Sequence, residues 1–260
     1  MNPAAPTDAV YDSWAEFYDL TDADHSACVS FYRSLVSPLM RSMLDLGCGT
    51  GINTCAIAQA FDAPNNAAPK RIVALDNSAR MLERARDRNP AIEWIQTDFR
   101  LAPVEGSFDF ILCCFNTLQV VSPTDLGRLF PRVRELLSPG GVFAFDVYQP
   151  NMEYLQHPSK NRLAKVTTTA EGRRLETRED ALYDPEQRIL SLTWRLIDSG
   201  MPEHPPLAHL SLEVHQHFPD DIAQVLSASG LRLVNRYGDF DRSDFTPGSR
   251  KQVIVCQATC

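Results

Sequence analysis

The stretch that most constrains this chain is Ser42 to Ile52, Ser-Met-Leu-Asp-Leu-Gly-Cys-Gly-Thr-Gly-Ile. Met43, Leu44 and Leu46 are closely spaced and apolar, as in a buried strand, and Asp45 interrupts them near the strand's end. Gly47, Gly49 and Gly51 then fall at every second position. Ile52, Ala56, Ile57 and Ala60 recur on one side of a helix. A strand, a glycine turn and a helix open a nucleotide-binding βα unit. Glycines let the chain turn sharply and let a ligand lie against bare main chain, and the helix start offers unpaired N–H groups. The dinucleotide fingerprint, Gly-x-Gly-x-x-Gly, sets its last glycine inside the helix. Here the spacing is Gly-x-Gly-x-Gly, preceded by Asp-x.

Leu44 to Gly51 resembles motif I of the Rossmann-like (class I) S-adenosylmethionine-dependent methyltransferases, matching its pattern at every position. The alternative is a glycine-rich turn of another α/β domain, and the rest of the chain is the context that decides. The resemblance implies an α/β fold: a Rossmann-like seven-stranded, mostly parallel sheet with helices on both faces. It implies S-adenosyl-L-methionine as cofactor and S-adenosyl-L-homocysteine as product.

Arg71-Ile-Val-Ala-Leu-Asp76 reads as a second buried strand ending in an acid, 25 residues beyond Gly51 (76 − 51). An acid about 20 residues past the glycines binds ribose hydroxyls in dinucleotide folds, and a carboxylate accepts from both at once. Asp76 with Asn77-Ser78 also suits the N-cap of a helix over Ala79 to Arg88, and both roles are compatible. Ala91 to Gln96 is a third strand, followed by Thr97-Asp98-Phe99. In the family, an Asp here accepts from the adenine amine and the next main-chain N–H reaches a ring nitrogen, while an apolar residue such as Met81 faces the adenine. Phe108 to Phe115 is a fourth strand, whose end lies beside the switch point where ligands bind in open α/β sheets. The resemblance gives Cys113 a main-chain contact with the donor's amino group. The donor-binding set it implies is Asp45, Gly47, Cys48, Gly49, Gly51, Asp76, Asn77, Met81, Asp98, Phe99, Cys113 and Phe115, with Trp14 and Tyr18 added from the N-terminus.

Acceptor-side candidates are Tyr18, Asn116, Tyr148 and His217. Asn116 faces the methyl group or substrate, or caps the next helix. Thr124 to Leu137 is an amphipathic helix, Ser138-Pro-Gly-Gly a turn, and Val142 to Tyr148 a fifth strand with Tyr148 at its C-terminal end. Neither Asn-Pro-Pro-Tyr, Asp-Pro-Pro-Tyr nor a Pro-Cys pair follows strand four, which subtracts the nucleobase-modifying branches of the family. His217 alternates with Gln216 and His215 on a strand end, where an exposed edge is the plainer reading.

Arg174 to Tyr183, Arg188 to Ile197 and Leu207 to His217 alternate like antiparallel strands. Leu190, Leu192, Trp194 and Leu196 share one face of the middle strand. The expected organisation is an N-terminal helical lid over 1–40 and a cofactor-binding core over 41–150 and 218–260. A small antiparallel β insertion over 151–217 roofs the substrate pocket. Tyr11, Trp14, Phe17 and Tyr18 fall at helical spacing in the lid, either packing on the core or presenting an aromatic face to a sulfonium. Helices are expected over Val10 to Leu20, His25 to Leu39 and Pro219 to Ser229. Leu231 to Tyr237 and Gln252 to Ala258 complete the sheet.

Composition narrows the substrate. The formal net charge is −8 with no basic block, so nucleic acid is a poor guess. No apolar run reaches the ~18–20 residues of a membrane span. Met1 to Asp8, small and acidic, reads as a disordered lead-in and no secretory signal. The seven cysteines contain no Cys-x-x-Cys and read as reduced, buried thiols of a cytoplasmic protein. No residue spacing suggests a metal. The expectation is a methyltransferase acting on a small molecule or short peptide, at an amine nitrogen, as a monomer or homodimer. Oxygen or carbon methylation is the nearest alternative. A noncatalytic S-adenosylmethionine-binding module and a nicotinamide oxidoreductase are the others; intact glycines count against the first, and the glycine spacing with Asp98-Phe99 against the second.

Overall fold

The computed structural model describes residues 10–21, 24–62 and 70–259. The lead-in expected over Met1 to Asp8 and most of the loop expected over Asp62 to Lys70 lie outside the described residues. In chain order the elements are α1 (Tyr18–Thr21), α2 (Ser26–Arg33), β1 (Ser42–Leu46), α3 (Ile52–Ala58), β2 (Arg71–Asp76) and α4 (Ala79–Arg88). Next come β3 (Glu93–Gln96), β4 (Phe108–Cys113), α5 (Pro123–Leu136), β5 (Leu137–Tyr148), α6 (Met152–Leu155) and β6 (Ser159–Thr168). The chain continues through β7 (Arg174–Asp184), β8 (Ile189–Asp198), β9 (Ala208–His215), α7 (Pro219–Ala228), β10 (Leu231–Tyr237) and β11 (Lys251–Ala258).

A seven-stranded sheet runs in the order β10-β11-β5-β4-β1-β2-β3. β5, β4, β1, β2 and β3 pair in parallel, and β11 is antiparallel to both β5 and β10. The expected Rossmann-like α/β architecture is therefore present. Its strands read as unbroken apolar runs because both faces are buried. Leu44, Val73, Ile111 and Phe143 point to one face, against α5 and α7. Met43, Ile72, Phe110 and Ala144 point to the other, against α2, α3 and α4. Fully burying one such large side chain contributes roughly 1.5–3 kcal/mol. Two helix starts are closed by serine: Ser78 accepts from the Met81 N–H, and Ser122 accepts from that of Asp125 with Pro123 in the first turn.

The second sheet, β6-β7-β8-β9, is antiparallel throughout. Leu190, Leu192 and Leu196 of β8 are buried, as their alternation implies. Their cover comes from the N-terminal segment and from α6. Trp14 packs with Leu175, Leu196, Ala208 and Leu210, flanked by Tyr11, Phe17 and Tyr18, while Leu155 of α6 closes over Ala181, Leu190 and Leu192. Trp14 lies 6.2 Å from Trp194 between ring centres. Lys165 Nζ donates to the Thr21 carbonyl at 2.6 Å and Ser13 Oγ to that of His209 at 2.5 Å. The described part of Met1–Ala23 thus forms one compact unit with Pro150–Gln216, and Asp24–Gln149 with His217–Cys260 forms the other. The segment read as one lid over 1–40 is shared between the two.

Several local expectations need correction. The helix expected over Val10 to Leu20 is helical only at α1, and before it the chain makes successive i→i+3 turns, Trp14 N to Tyr11 O and Phe17 N to Trp14 O. Three residues per turn align Tyr11, Trp14 and Phe17 on the sheet as well as an α-helix does. The helix expected over His25 to Leu39 stops at Arg33, with Ser34 as its C-cap. β5 begins at Leu137, so Ser138 to Gly141 are an excursion within the strand, where the register with β4 shifts. β6 escapes sequence reading because it is exposed along nearly its whole length and shows no alternation.

Candidate active site

The glycine turn joins β1 to α3 at the C-terminal end of the parallel strands. The Gly47 and Cys48 N–H groups donate to the Leu75 carbonyl at 2.8 and 2.9 Å, and Gly49 N donates to Asp76 Oδ2 at 2.8 Å. All three glycines have positive φ, at 79°, 55° and 75°. A Cβ on Gly47 would stand 2.4 Å from Thr117 Cγ2, and one on Gly51 2.6 Å from the Trp94 ring. Those two permit close packing. A Cβ on Gly49 would meet nothing within 4 Å among the described residues, so Gly49 leaves its main chain bare of them. That is the cradle a ligand needs.

Three acids surround the turn. Asp45 is fully buried and accepts from Thr54 Oγ1 at 2.6 Å, while its Oδ1 has no hydrogen-bond partner among the described residues. Burial, with Asp76 nearby adding to it, raises its carboxyl to about 7. Asp76 ties the turn to α4: Oδ2 takes the Gly49 N–H and Oδ1 the Ser78 N–H at 2.9 Å. Asp98 opens the short helical turn Phe99–Leu101, accepting from the Arg100 N–H at 3.0 Å and pairing with the Arg100 guanidinium. Phe99 packs against the core and lies within contact of a Cβ at Gly47. Met81 is 1% exposed, and the Asn77 carbonyl accepts from Gln96 Nε2 at 3.3 Å. Cys48 and Cys113 are buried, and burial pushes both thiols well above the ordinary value, so neither supplies a thiolate.

The end of β4 is held by a residue that the sequence reading passed over. Asp146, near the C-terminal end of β5 and fully buried, accepts four hydrogen bonds. Its Oδ1 takes the Tyr32 hydroxyl at 2.9 Å and the Phe115 N–H at 2.7 Å; its Oδ2 takes Lys251 Nζ at 2.9 Å and the Asn116 N–H at 3.2 Å. Phe115 stacks on the His25 ring at 4.2 Å, and His25 Nδ1 sits 2.8 Å from Asn53 Oδ1. A lone acid inside Phe-Ala-Phe-Asp-Val was the available signal, because buried charges are retained where they are paired. Lys251, 105 residues away, carried none.

The structure thus gathers Asp45, Gly47, Cys48, Gly49, Gly51, Asp76, Asn77, Met81, Asp98, Phe99, Cys113 and Phe115 around the C-terminal ends of β1 to β4. Trp14 and Tyr18 belong to the other unit. There the Trp14 indole donates to Thr21 Oγ1 at 3.0 Å, and Tyr18 meets Tyr11 edge-on at 6.4 Å. Of the acceptor-side candidates, Asn116 receives Lys251 Nζ at 2.7 Å, and Tyr148 is half exposed with the same ammonium 4.4 Å from its ring centre. His217 is buried instead of on an open strand edge. Its Nε2 lies 3.1 Å from the Leu118 carbonyl, and its own carbonyl accepts from Gln252. Among the described residues no cluster of three or more His, Cys, Asp or Glu has metal-binding geometry, and no helix is long and apolar enough to cross a membrane.

Comparison with known proteins agrees with this geometry. Residues 43–141 match the methyltransferase-domain family. Trans-aconitate 2-methyltransferase of Paracidovorax citrulli is 35% identical over 132 residues, 50% of this chain and 46% of that protein. The chain therefore spans about half the length of that relative. Cypemycin N-terminal methyltransferase of a Streptomyces species is 32% identical over 184 residues, 63% of this chain and 70% of that one. Among solved structures, the CcbJ methyltransferase of Streptomyces caelestis is similar with a TM-score of 0.79 over 97% of this chain and 98% of that one. Its 21% identity makes this a likeness of fold.

Proposed function

The chain belongs to the class I S-adenosylmethionine-dependent methyltransferases, and from that premise we propose that it methylates an amine nitrogen of a small molecule or short peptide. The observation that carries the nitrogen reading is the relative named cypemycin N-terminal methyltransferase. Its match runs well past the methyltransferase domain, over 184 residues. One specific observation favours a second reading, O-methylation of a carboxylate: the 35% identity to an enzyme named for trans-aconitate.

The residues present fit the donor. The open face of Gly49 and the unpartnered Asp45 Oδ1 are both features that a bound polar ligand would complete. In this reading Asp76 holds the ribose hydroxyls while keeping the Gly49 and Ser78 N–H groups, since each carboxylate oxygen accepts more than one bond. Asp98 and the Phe99 N–H hold the adenine edge, with Met81 against the ring. Asp45, once ionised, faces the donor's ammonium, and the main chain at Cys113 and Phe115 lines the same end. S-adenosylmethionine supplies a methyl group already activated on a sulfonium. The chain's own contribution is then to hold the nucleophile in line and close, and positioning of that kind provides much of the acceleration. An amine with some neutral form near pH 7 needs no strong base from the protein. Asn116, Tyr148 and His217 are the acceptor-side residues we propose. The reduced thiols suit a cytoplasmic enzyme.

The test is incubation with a methyl-labelled donor and a panel of amines, peptides, phenols and carboxylic acids, read by mass spectrometry. Label on nitrogen is expected. Label found only as a methyl ester or aryl ether would overturn the nitrogen reading and leave the methyltransferase.

A further inference from the structure

Asn116 is the second of two consecutive non-glycine residues in the left-handed region, Phe115 and Asn116 both at φ 63°. That conformation is disfavoured for residues with a side chain and persists where the surroundings over-determine it. Here they do, because the buried Asp146 carboxylate takes the N–H groups of both residues. Lys251, bound to the same carboxylate, also donates to Asn116 Oδ1 at 2.7 Å.

An ammonium can only donate, so the amide atom it meets is the oxygen. The Lys251 contact therefore decides which way the Asn116 amide is turned. Its Nδ2, with two N–H donors, faces away from Lys251, and among the described residues no group accepts from it. Asn116 is half-buried at the C-terminal end of β4, next to β1, where the strand order reverses. Ligands of open α/β sheets bind at that point.

We propose that Asn116, turned by Lys251 and Asp146, determines specificity by offering its side-chain N–H groups to a hydrogen-bond-accepting oxygen of the methyl acceptor. The oxygen is a hydroxyl, carbonyl or carboxylate beside the methylated atom. The nucleophile itself must keep its lone pair for the methyl group, so the amide donors serve a neighbour. An acceptor whose only polar group is an amine leaves them unpaired. Lys251 is the positioning residue. The inference rests on the proposed function and deepens it.

The experiment uses the ¹⁵N-labelled full-length protein saturated with S-adenosylhomocysteine, the Asn116 side-chain amide pair being assigned by its loss in Asn116→Asp. The probes are 2-aminocyclohexanol, cyclohexylamine and trans-aconitate. The two oxygen-bearing probes are expected to shift the Asn116 pair, and cyclohexylamine to leave it in place. In Lys251→Met the pair should move in the absence of any probe and stop responding to them. With methylation as the readout, 2-aminocyclohexanol should be preferred over cyclohexylamine by at least about tenfold in the wild type, since a site built to bond an oxygen discriminates strongly against its loss. The preference should collapse in both variants, with S-adenosylhomocysteine affinity within about threefold of wild type. A wild-type amide pair that ignores both oxygen-bearing probes overturns the proposal. So does a folded Lys251→Met that keeps the wild-type pair position and preference. Should Lys251→Met not fold, the two-probe comparison in the wild type decides alone. Loss of S-adenosylhomocysteine binding by the wild type would instead sink the methyltransferase reading, so the two failures are distinguishable.

Discussion

Alanine at Gly49 and alanine at Gly51 should do opposite things, and the reason is in the space around them. Both positions have positive φ, 55° and 75°, so each alanine costs about 1–2 kcal/mol for a left-handed backbone. At Gly49 there is nothing more to add, because its Cβ meets no atom within 4 Å. At Gly51 the Cβ would lie 2.6 Å from the Trp94 ring and 3.0 Å from Ala85 Cβ. Trp94 cannot swing aside freely, since its indole N–H is bonded to the Asn89 carbonyl at 2.9 Å. Overpacking of that kind costs a further ~1–3 kcal/mol. Gly49→Ala should therefore be the more stable variant by about 1–3 kcal/mol in urea unfolding. In calorimetry it should be the one that loses S-adenosylhomocysteine, by at least about tenfold or roughly 1.4 kcal/mol, because its methyl fills the face left bare for the donor. Wild-type affinity in a folded Gly49→Ala would mean the donor does not lie on that turn. A Gly51→Ala as stable as Gly49→Ala would refute the packing argument.

Asp45 should make stability fall as pH rises. Its folded carboxyl is raised to about 7 from 3.8, so between those values the unfolded chain ionises while the folded one keeps its proton. The loss reaches at most about 4 kcal/mol at 1.36 kcal/mol per unit. Asp45→Asn should flatten that slope in urea titrations from pH 4 to 8, and parallel curves for variant and wild type would rule it out. Asp76→Ala should weaken donor binding by roughly 1.5–3 kcal/mol for a lost charge-assisted acceptor, with calorimetry on the folded variant as the check. Trp14→Ala, emptying a site 4% exposed, should cost about 3–5 kcal/mol. Limited proteolysis should then cut first within 150–216, and cleavage first in the seven-stranded sheet would contradict the unit boundary. Chelator treatment should leave methylation unchanged, and recovery of lost activity by one added divalent ion would show a metal requirement.

Sequence reasoning reaches furthest where a physical rule acts over short range. The parallel strands are legible because burial on both faces leaves runs such as Ile72 to Leu75 with no polar residue. Asp76 is legible as the acid that ends a buried strand, and the structure ties it to the Gly49 and Ser78 N–H groups. The Asp146 network is illegible for the opposite reason. Tyr32 of α2, Asn116 after β4 and Lys251 of β11 are brought to one carboxylate by the tertiary fold, from positions up to 114 residues away. The N-terminal aromatics show the same limit. Their spacing announces a buried stripe, yet a three-residue repeat satisfies it as well as a helix does, and no local rule names the inserted sheet as its partner.

That partnership has a consequence for how the molecule is made. Trp14 emerges early in synthesis, while the strands it covers come far later: Ser13 is bonded to His209 across 196 positions and Thr21 to Lys165 across 144. Contacts so distant in the chain are slow to close. Until β9 is available, a cluster of four aromatic residues and the apolar face of β8 each lack their cover. Exposed apolar surface of this kind invites association during folding. The seven-stranded sheet takes no residue from the Tyr11 to Thr21 segment, so its folding does not wait on that closure. A freshly made chain should therefore pass through a stage in which β1 to β5 can already pair while the Trp14 cluster still waits for β9, and the seven-stranded sheet is completed last, by β10 and β11.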